Sequence, residues 1–174
     1  MKQNSVGVIG AGSFGAAVAN LLAENQPVLL YERNKEAVER MKRERQVRGF
    51  DLHPNIQLAD SLEQVASSCY LLFPAVPSQF FKNMIIDFSP YLRPDHIMIH
   101  TTKGLHCEFD IDKADASSIR LKDIKTMSEL ILQETGIVRV GSIAGPNLAL
   151  ELMEKQPAAT VVASRFDEVI HEGV

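Results

Sequence analysis

The sequence predicts an α/β domain, doubly wound around a mostly parallel sheet, on three observations. Seven short apolar runs recur along the chain, segments with helical spacing alternate with them, and the first run leads straight into a glycine-rich turn. Several of the runs lack polar alternation, which is the pattern of strands covered on both faces by helices.

Val6 to Ile9 is the first strand, followed by Gly10-Ala11-Gly12-Ser13-Phe14-Gly15 and then by a helical stretch from Ala16 to Leu22. A strand, a G-x-G-x-x-G turn and a helix put backbone N–H groups and the positive end of a helix dipole where a pyrophosphate can sit. Gly10 serves the tight turn, Gly12 the close approach of phosphates, and Gly15 the close approach of helix to sheet. Kinase loops share the hexapeptide but lay it over a hairpin. The Ala- and Leu-rich segment after Gly15 favours a Rossmann-type dinucleotide unit instead.

The second strand, Val28 to Tyr31, ends at Glu32, about twenty residues past the glycines, where an acid meets the adenosine ribose. A carboxylate there accepts from a 2′-hydroxyl and repels a 2′-phosphate, which favours NAD; Arg33, with Lys35 near it, favours NADP by clamping that phosphate. The cofactor reads as NAD or NADP, and a solvated strand end is the alternative for both residues.

Asn34 to Arg45 is a charged, glycine-free helix with Asn34 as its N-cap and with Glu36–Arg40 and Glu39–Arg43 as i, i+4 pairs. Its interleaved glutamates and lack of aromatic residues describe a solvated face, not a nucleic-acid surface. A weak third strand, Ile56 to Ala59, precedes a short helix over Ser61 to Ala66 capped by Ser61, and Tyr70 to Phe73 is the fourth strand. Cys69, at the start of that strand, reads as a small core residue. Pro74 to Pro77 break the chain, and Ser78 opens a helix in which Phe81, Ile85 and Phe88 face the core while Phe80, off that stripe, faces a ligand. Ile97 to His100 is the fifth strand, and the charged, aperiodic segment from Glu108 to Ile124 is a loop excursion. Val138 to Ala144 is the sixth. Gly145 and Pro146 then turn the chain, and Asn147 caps a helix from Leu148 to Lys155. Thr160 to Ala163 is the seventh strand, and from Ser164 a further capped helix starts and is cut off near residues 165–174.

The chain of 174 residues, 45% hydrophobic and 23% charged with a net charge of −4, suits one domain, or one with a small appendage, and has no field to attract nucleic acid. No membrane partner is indicated. The N-terminus lacks the apolar core of a signal peptide, which reads as cytoplasmic. Two cysteines, Cys69 and Cys107, without C-x-x-C or histidines at ligand spacing imply no metal. The histidines are scattered and read as surface or satisfied core positions.

Three loops follow strands at the carboxyl edge, where open α/β sheets bind ligands: Ala75 to Gln79, Thr101 to Gly104, and Ala144 to Asn147. Lys103 can reach from there to a substrate phosphate or polarise a carbonyl, against the plain reading of a lysine in a surface turn. Asn147 either meets polar substrate atoms with the helix N-terminus or acts as a simple cap.

GAGSFG, AVPSQ, HTTKGL and GSIAGPNLALE followed by PAATVVAS stand in an order and spacing that resemble the N-terminal domain of NAD(P)-dependent glycerol-3-phosphate dehydrogenases over nearly the whole chain. The resemblance implies cofactor contacts at Ser13, Phe14, Arg33, Phe80 and Ala149. It implies Lys103, Gly145 and Asn147 around the phosphorylated substrate, with Lys103 touching both. Many bacterial members carry tryptophan where Phe14 stands, serine or threonine where Asn147 stands, and lysine where Leu150 stands; asparagine at Asn147 is the eukaryotic choice. Glu32 stands where a small residue is common.

The reaction implied is reversible hydride transfer between NAD(P)H and dihydroxyacetone phosphate, giving sn-glycerol 3-phosphate for phospholipid synthesis. In the family a lysine of a following all-helical domain is the general acid/base, and arginine and asparagine of that domain hold the substrate phosphate. No catalytic residue is therefore assigned in this chain, and Lys103 does not take that role. Losing a general acid/base costs about two to four orders of magnitude in rate, so the chain alone is expected to bind cofactor and turn over poorly. Two rivals stand beside this reading: another two-domain reductase of the hydroxyacid or ketopantoate type, which would lack the T-K-G and G-P-N pair, and a non-catalytic module that senses cofactor redox state. An apolar patch left bare by the second domain would favour a homodimer.

Overall fold

A computed structural model describes residues 5–109, 113, 115 and 119–174. Its strands are β1 (Ser5–Ile9), β2 (Val28–Tyr31), β3 (Gln46–Val47), β4 (Phe50–Asp51), β5 (Ile56–Ala59), β6 (Cys69–Pro74), β7 (Ile97–His100), β8 (Leu105–Cys107), β9 (Ile124–Thr126), β10 (Arg139–Ala144) and β11 (Val161–Ser164). Its α-helices are α1 (Ser13–Ala23), α2 (Lys35–Glu44), α3 (Leu62–Ser68), α4 (Ser78–Phe88), α5 (Met127–Glu134), α6 (Ala149–Met153) and α7 (Asp167–Gly173). The seven expected strands form one seven-stranded sheet in the order β11-β10-β7-β6-β1-β2-β5, parallel throughout except that β11 runs antiparallel to β10.

Consecutive residues of the central strands feed opposite layers, as the pleat requires. Val8, Phe73 and Ile99 pack with Ala16 and Ala19 of α1, Met41 of α2 and Val169 of α7. Ile9, Leu72 and Met98 pack on the other face with Val65 of α3, Phe81, Ile85 and Phe88 of α4, and Leu130 and Ile131 of α5. The expected phenylalanine stripe is thus core, and Cys69 is buried beside it, its thiol pushed up to about 12 by desolvation. Asn34 Oδ1 accepts from the Ala37 amide at 3.0 Å and Ser61 Oγ from the Gln64 amide at 3.1 Å, so both expected caps form.

Four expectations are corrected. The i, i+4 pairs on α2 give way to Glu39 with Lys42 at 3.3 Å and Arg43 with Glu44 at 2.8 Å, because exposed flexible side chains gain about as much from one neighbour as from another. Asn147 does not cap a helix: α6 starts at Ala149, Leu148 holds the cap position, and the buried Asn147 amide donates to Thr160 Oγ1 at 2.7 Å. A buried carboxamide needs that partner more than an exposed helix start needs a cap. The excursion is bounded by a hairpin, β8 against β9, and its described part includes a 3₁₀ turn at Leu121–Asp123; its residues 110–112, 114 and 116–118 lie outside the described residues. Phe166, not Ser164, precedes α7, and Ser164 Oγ donates instead to the Val140 carbonyl at 2.8 Å.

Candidate cofactor and substrate cleft

Strand β1 lies between β2 and β6, so the chain winds outward from it in both directions and leaves a crevice at the carboxyl ends of β1 and β6. The glycine turn fills the floor of that crevice. Gly10 sits at φ +106°, and a Cβ there would stand 2.8 Å from Val76 Cγ1 and 2.9 Å from the Ala75 carbonyl oxygen. A Cβ on Gly15 would lie 1.9 Å from the Gly10 carbonyl oxygen, so the first turn of α1 is seated directly on the turn that precedes it. Gly12 has the opposite surroundings: a Cβ there would meet nothing within 4 Å. No side chain caps α1, whose first-turn amides are left for a ligand.

Two lobes meet over Gly12 and the Ala75-Val76-Pro77 loop. The first, of about 270 Å³, is lined by Gly10, Tyr31, Glu32, Arg33, Phe80 and Met84 among others. The second, of about 390 Å³, is lined by Ser13, Phe14, Arg48, Thr101, Thr102 and Lys103. Glu32 does more here than end a strand. Its Oε2 accepts from the Ala11 amide at 3.1 Å and its Oε1 from the Asn34 amide at 2.8 Å, strapping the glycine turn to the start of α2.

Loop-to-loop hydrogen bonds hold the second lobe. The amide and hydroxyl of Thr101 donate to the Pro74 carbonyl at 3.0 and 3.1 Å, and Thr102 Oγ1 donates to the Val76 carbonyl at 2.7 Å. Lys103 Nζ donates to the Gly145 carbonyl at 3.0 Å, which brings the T-K-G and G-P-N loops together. Gly145 is itself pressed against the chain, since a Cβ there would lie 2.4 Å from the Ala159 carbonyl oxygen and 2.8 Å from Asn147 Nδ2. Of the residues singled out from sequence, Gly10, Gly12, Glu32, Arg33 and Phe80 share one lobe, and Gly12, Ser13, Phe14 and Lys103 the other. Lys103 alone of the expected substrate residues lines the second lobe; Gly145, which it bonds, and Asn147 beside Gly145 line neither lobe. Ala149, at the start of α6, lines neither lobe.

Arg48 lines the second lobe and carried no signal in the sequence beyond an Arg-Gly pair in a polar stretch. Behind the cleft, His100 ends β7 with Nε2 2.9 Å from Ser128 Oγ and its ring edge-on to Phe81. Burial pushes its pKa down to about 4, so the ring is neutral at pH 7. A larger cleft of about 610 Å³ lies along the outer side of α1, bridged by a Glu24–Lys155 ion pair at 2.8 Å, and contains none of the residues singled out from sequence. Among the described residues no group of three His, Cys, Asp or Glu side chains is placed to hold a metal, and no helix is long and apolar enough to cross a membrane.

The sequence profile described as NAD-dependent glycerol-3-phosphate dehydrogenase N-terminus matches residues 5–170. A glycerol-3-phosphate dehydrogenase (NAD(P)+) of Pseudomonas aeruginosa strain LESB58 is 36% identical over 173 residues, covering 97% of this chain and 46% of that protein. The same enzyme of Saccharophagus degradans is 37% identical over 174 residues, covering 97% of this chain and 45% of its own. The chain therefore spans about half the length of these curated relatives. Among solved structures, glycerol-3-phosphate dehydrogenase from Coxiella burnetii superposes with a TM-score of 0.80 at 23% identity over 98% of this chain and 49% of that one. A ketopantoate reductase from Ralstonia eutropha reaches a TM-score of 0.57 at 14% identity over 81% of this chain and 41% of its own. These superpositions carry the Rossmann-type fold, which reductases of several kinds share. A profile match across residues 5–170 and an identity of 36% along 97% of the chain go beyond a shared fold, and the chain belongs to the NAD-dependent glycerol-3-phosphate dehydrogenase N-terminus family.

Proposed function

We propose that this chain is the dinucleotide-holding half of a cytoplasmic glycerol-3-phosphate dehydrogenase, acting in the reversible conversion of dihydroxyacetone phosphate to sn-glycerol 3-phosphate for phospholipid synthesis. The observation that carries the reading is an uncapped α1 N-terminus beside an open Gly12, in a crevice that runs from Glu32 to Lys103. These residues fit NAD or NADP: the amides of α1 suit a pyrophosphate, and the spare lone pairs of Glu32 suit ribose hydroxyls. Arg33 stands beside Glu32 for a 2′-phosphate, and Phe80 offers an apolar face in the same lobe. When bound, the nicotinamide supplies the hydride.

Lys103, Gly145 and Asn147 serve the substrate end. The Lys103 ammonium, steadied by the Gly145 carbonyl, attracts a phosphorylated substrate and polarises its carbonyl. The general acid/base belongs to the longer protein, and this chain alone binds without efficient turnover. Half-exposed or more exposed Leu148, Leu150 and Val161 support self-association into a homodimer.

The test is calorimetric titration with NADH and with NADPH, followed by dihydroxyacetone phosphate added to the tighter complex. Saturable binding of either cofactor is expected, with dihydroxyacetone phosphate binding weakened by Lys103→Met. Absence of binding by both cofactors would overturn the reading.

A further inference from the structure

The hairpin of β3 and β4 pairs Gln46 with Asp51 and Val47 with Phe50, leaving Arg48 and Gly49 as its two-residue loop. Both loop residues have positive φ, 50° at Arg48 and 85° at Gly49. Such loops normally place asparagine, aspartate or glycine first, because other L side chains resist the left-handed conformation. Arg45 at φ 56° and Lys155 at φ 57° share that conformation, so the strain alone does not mark Arg48; what its guanidinium faces does.

The mount under that arginine is firm. Asn20 of α1 donates from Nδ2 to the Asp51 carbonyl at 3.1 Å and accepts at Oδ1 from the His53 amide at 2.7 Å, fixing the hairpin to the helix whose N-terminus opens the cleft. Val47 is buried under the loop. The neighbouring Arg45 shows the contrast: its guanidinium donates to the Ile56 and His53 carbonyls at 3.1 and 2.9 Å and serves the fold. Among the described residues no hydrogen bond or ion pair engages the Arg48 guanidinium, and Arg48 lines the lobe that also holds Gly12, Ser13 and Lys103.

We infer that Arg48 is a further cofactor-binding residue, which closes its guanidinium over the pyrophosphate of the dinucleotide from the side opposite the α1 amides. The inference rests on the function proposed above and adds a residue to its site. A guanidinium suits this task because its planar fork can pair two phosphate oxygens at once and keeps its charge at any physiological pH. The pyrophosphate is favoured over the adenosine 2′-phosphate by position, since Glu32 and Arg33 lie in the other lobe.

The experiment measures binding of NADH, NADPH, ADP and adenosine to the chain and to its Arg48→Gln and Arg48→Gly variants, with melting temperatures alongside. The expected result is NADH, NADPH and ADP each weakened by roughly ten- to a hundredfold, the effect of losing a charge-assisted hydrogen bond. Adenosine, seen by ligand-observed NMR, should bind unchanged. Arg48→Gly should melt no lower than the parent, since glycine takes the left-handed turn without strain. NADH bound equally by parent and variants would overturn the inference and leave the cofactor reading standing; no NADH binding by the parent would remove the cofactor reading itself. A loss confined to NADPH would move Arg48 to the 2′-phosphate, and an equal loss of adenosine and ADP would make it structural. Either result overturns the pyrophosphate assignment.

Discussion

Alanine at Gly12 and alanine at Gly15 should fail in different ways, and the difference tests how the glycine turn works. At Gly15 the new methyl would stand 1.9 Å from the Gly10 carbonyl oxygen and 3.3 Å from Ala75 Cβ, so α1 must back away from the turn by more than an ångström. Overpacking of this kind costs about 1–3 kcal/mol, and a chain of this size loses about 2–4 °C per kcal/mol, so Gly15→Ala should melt roughly 2–12 °C lower. It should also bind NADH at least tenfold more weakly, because the α1 amides are displaced. At Gly12 the backbone (φ −69°, ψ 179°) already suits alanine and the methyl meets nothing within 4 Å. Gly12→Ala should therefore keep its melting temperature to within about 3 °C, the scale of a small change at a helix cap, while losing about ten- to a hundredfold in NADH affinity. Thermal melts and calorimetry on the two variants give the four numbers. A Gly12→Ala protein that binds NADH like the parent would refute the close approach of phosphates to that backbone.

Glu32→Gln keeps one acceptor for the Ala11 strap but removes the charge, so NADPH should gain on NADH by about tenfold in competitive binding, the direction set by relief of carboxylate–phosphate repulsion. His100 links stability to acid: folded it titrates near 4 and unfolded near 6.5, so its contribution is complete above pH 6.5 and is lost as the pH falls through 4, about 3 kcal/mol over that window. His100→Gln should flatten the fall in melting temperature between pH 7 and pH 4.5, and an unchanged fall would remove His100 from the acid response.

The central strands β1, β6 and β7 were legible because burial on both faces writes a continuous apolar run, as in Leu71, Leu72 and Phe73, whereas the partly exposed edge strands β5 and β11 show only as short apolar segments. The hairpins β3–β4 and β8–β9 were not, since strands of two or three residues are too short to show a period. Helix α5 is marked in the sequence by Thr126 and Glu129, which form a reciprocal capping box. Asn147 shows a limit of a different kind, for the residue type that favours a helix cap also satisfies a buried partner, and only the position of Thr160 decides between them. The glycine turn was legible because its function is local. Arg48 was not, because its place in the cleft is made by Asn20 clamping a distant hairpin onto α1.

The same hydrogen bonds show where binding ends and chemistry has still to be supplied. The tie of Lys103 to Gly145 and of Thr101 and Thr102 to the β6 loop means that the Lys103 end of the cleft, proposed above to take the substrate, is organised by hydrogen bonds within this chain. Yet Gly12, Ser13 and Lys103 are exposed, and a site open to water screens its charges and leaves a hydride donor accessible to solvent. Efficient transfer needs that face covered and a proton delivered to the substrate oxygen. Of the titratable side chains on the second lobe, Arg48 and Lys103 are both cations suited to holding phosphate. These features support the division of labour proposed above: a cleft whose loops are already in place for anionic ligands, with an exposed mouth for which a longer protein would supply the cover and the proton donor.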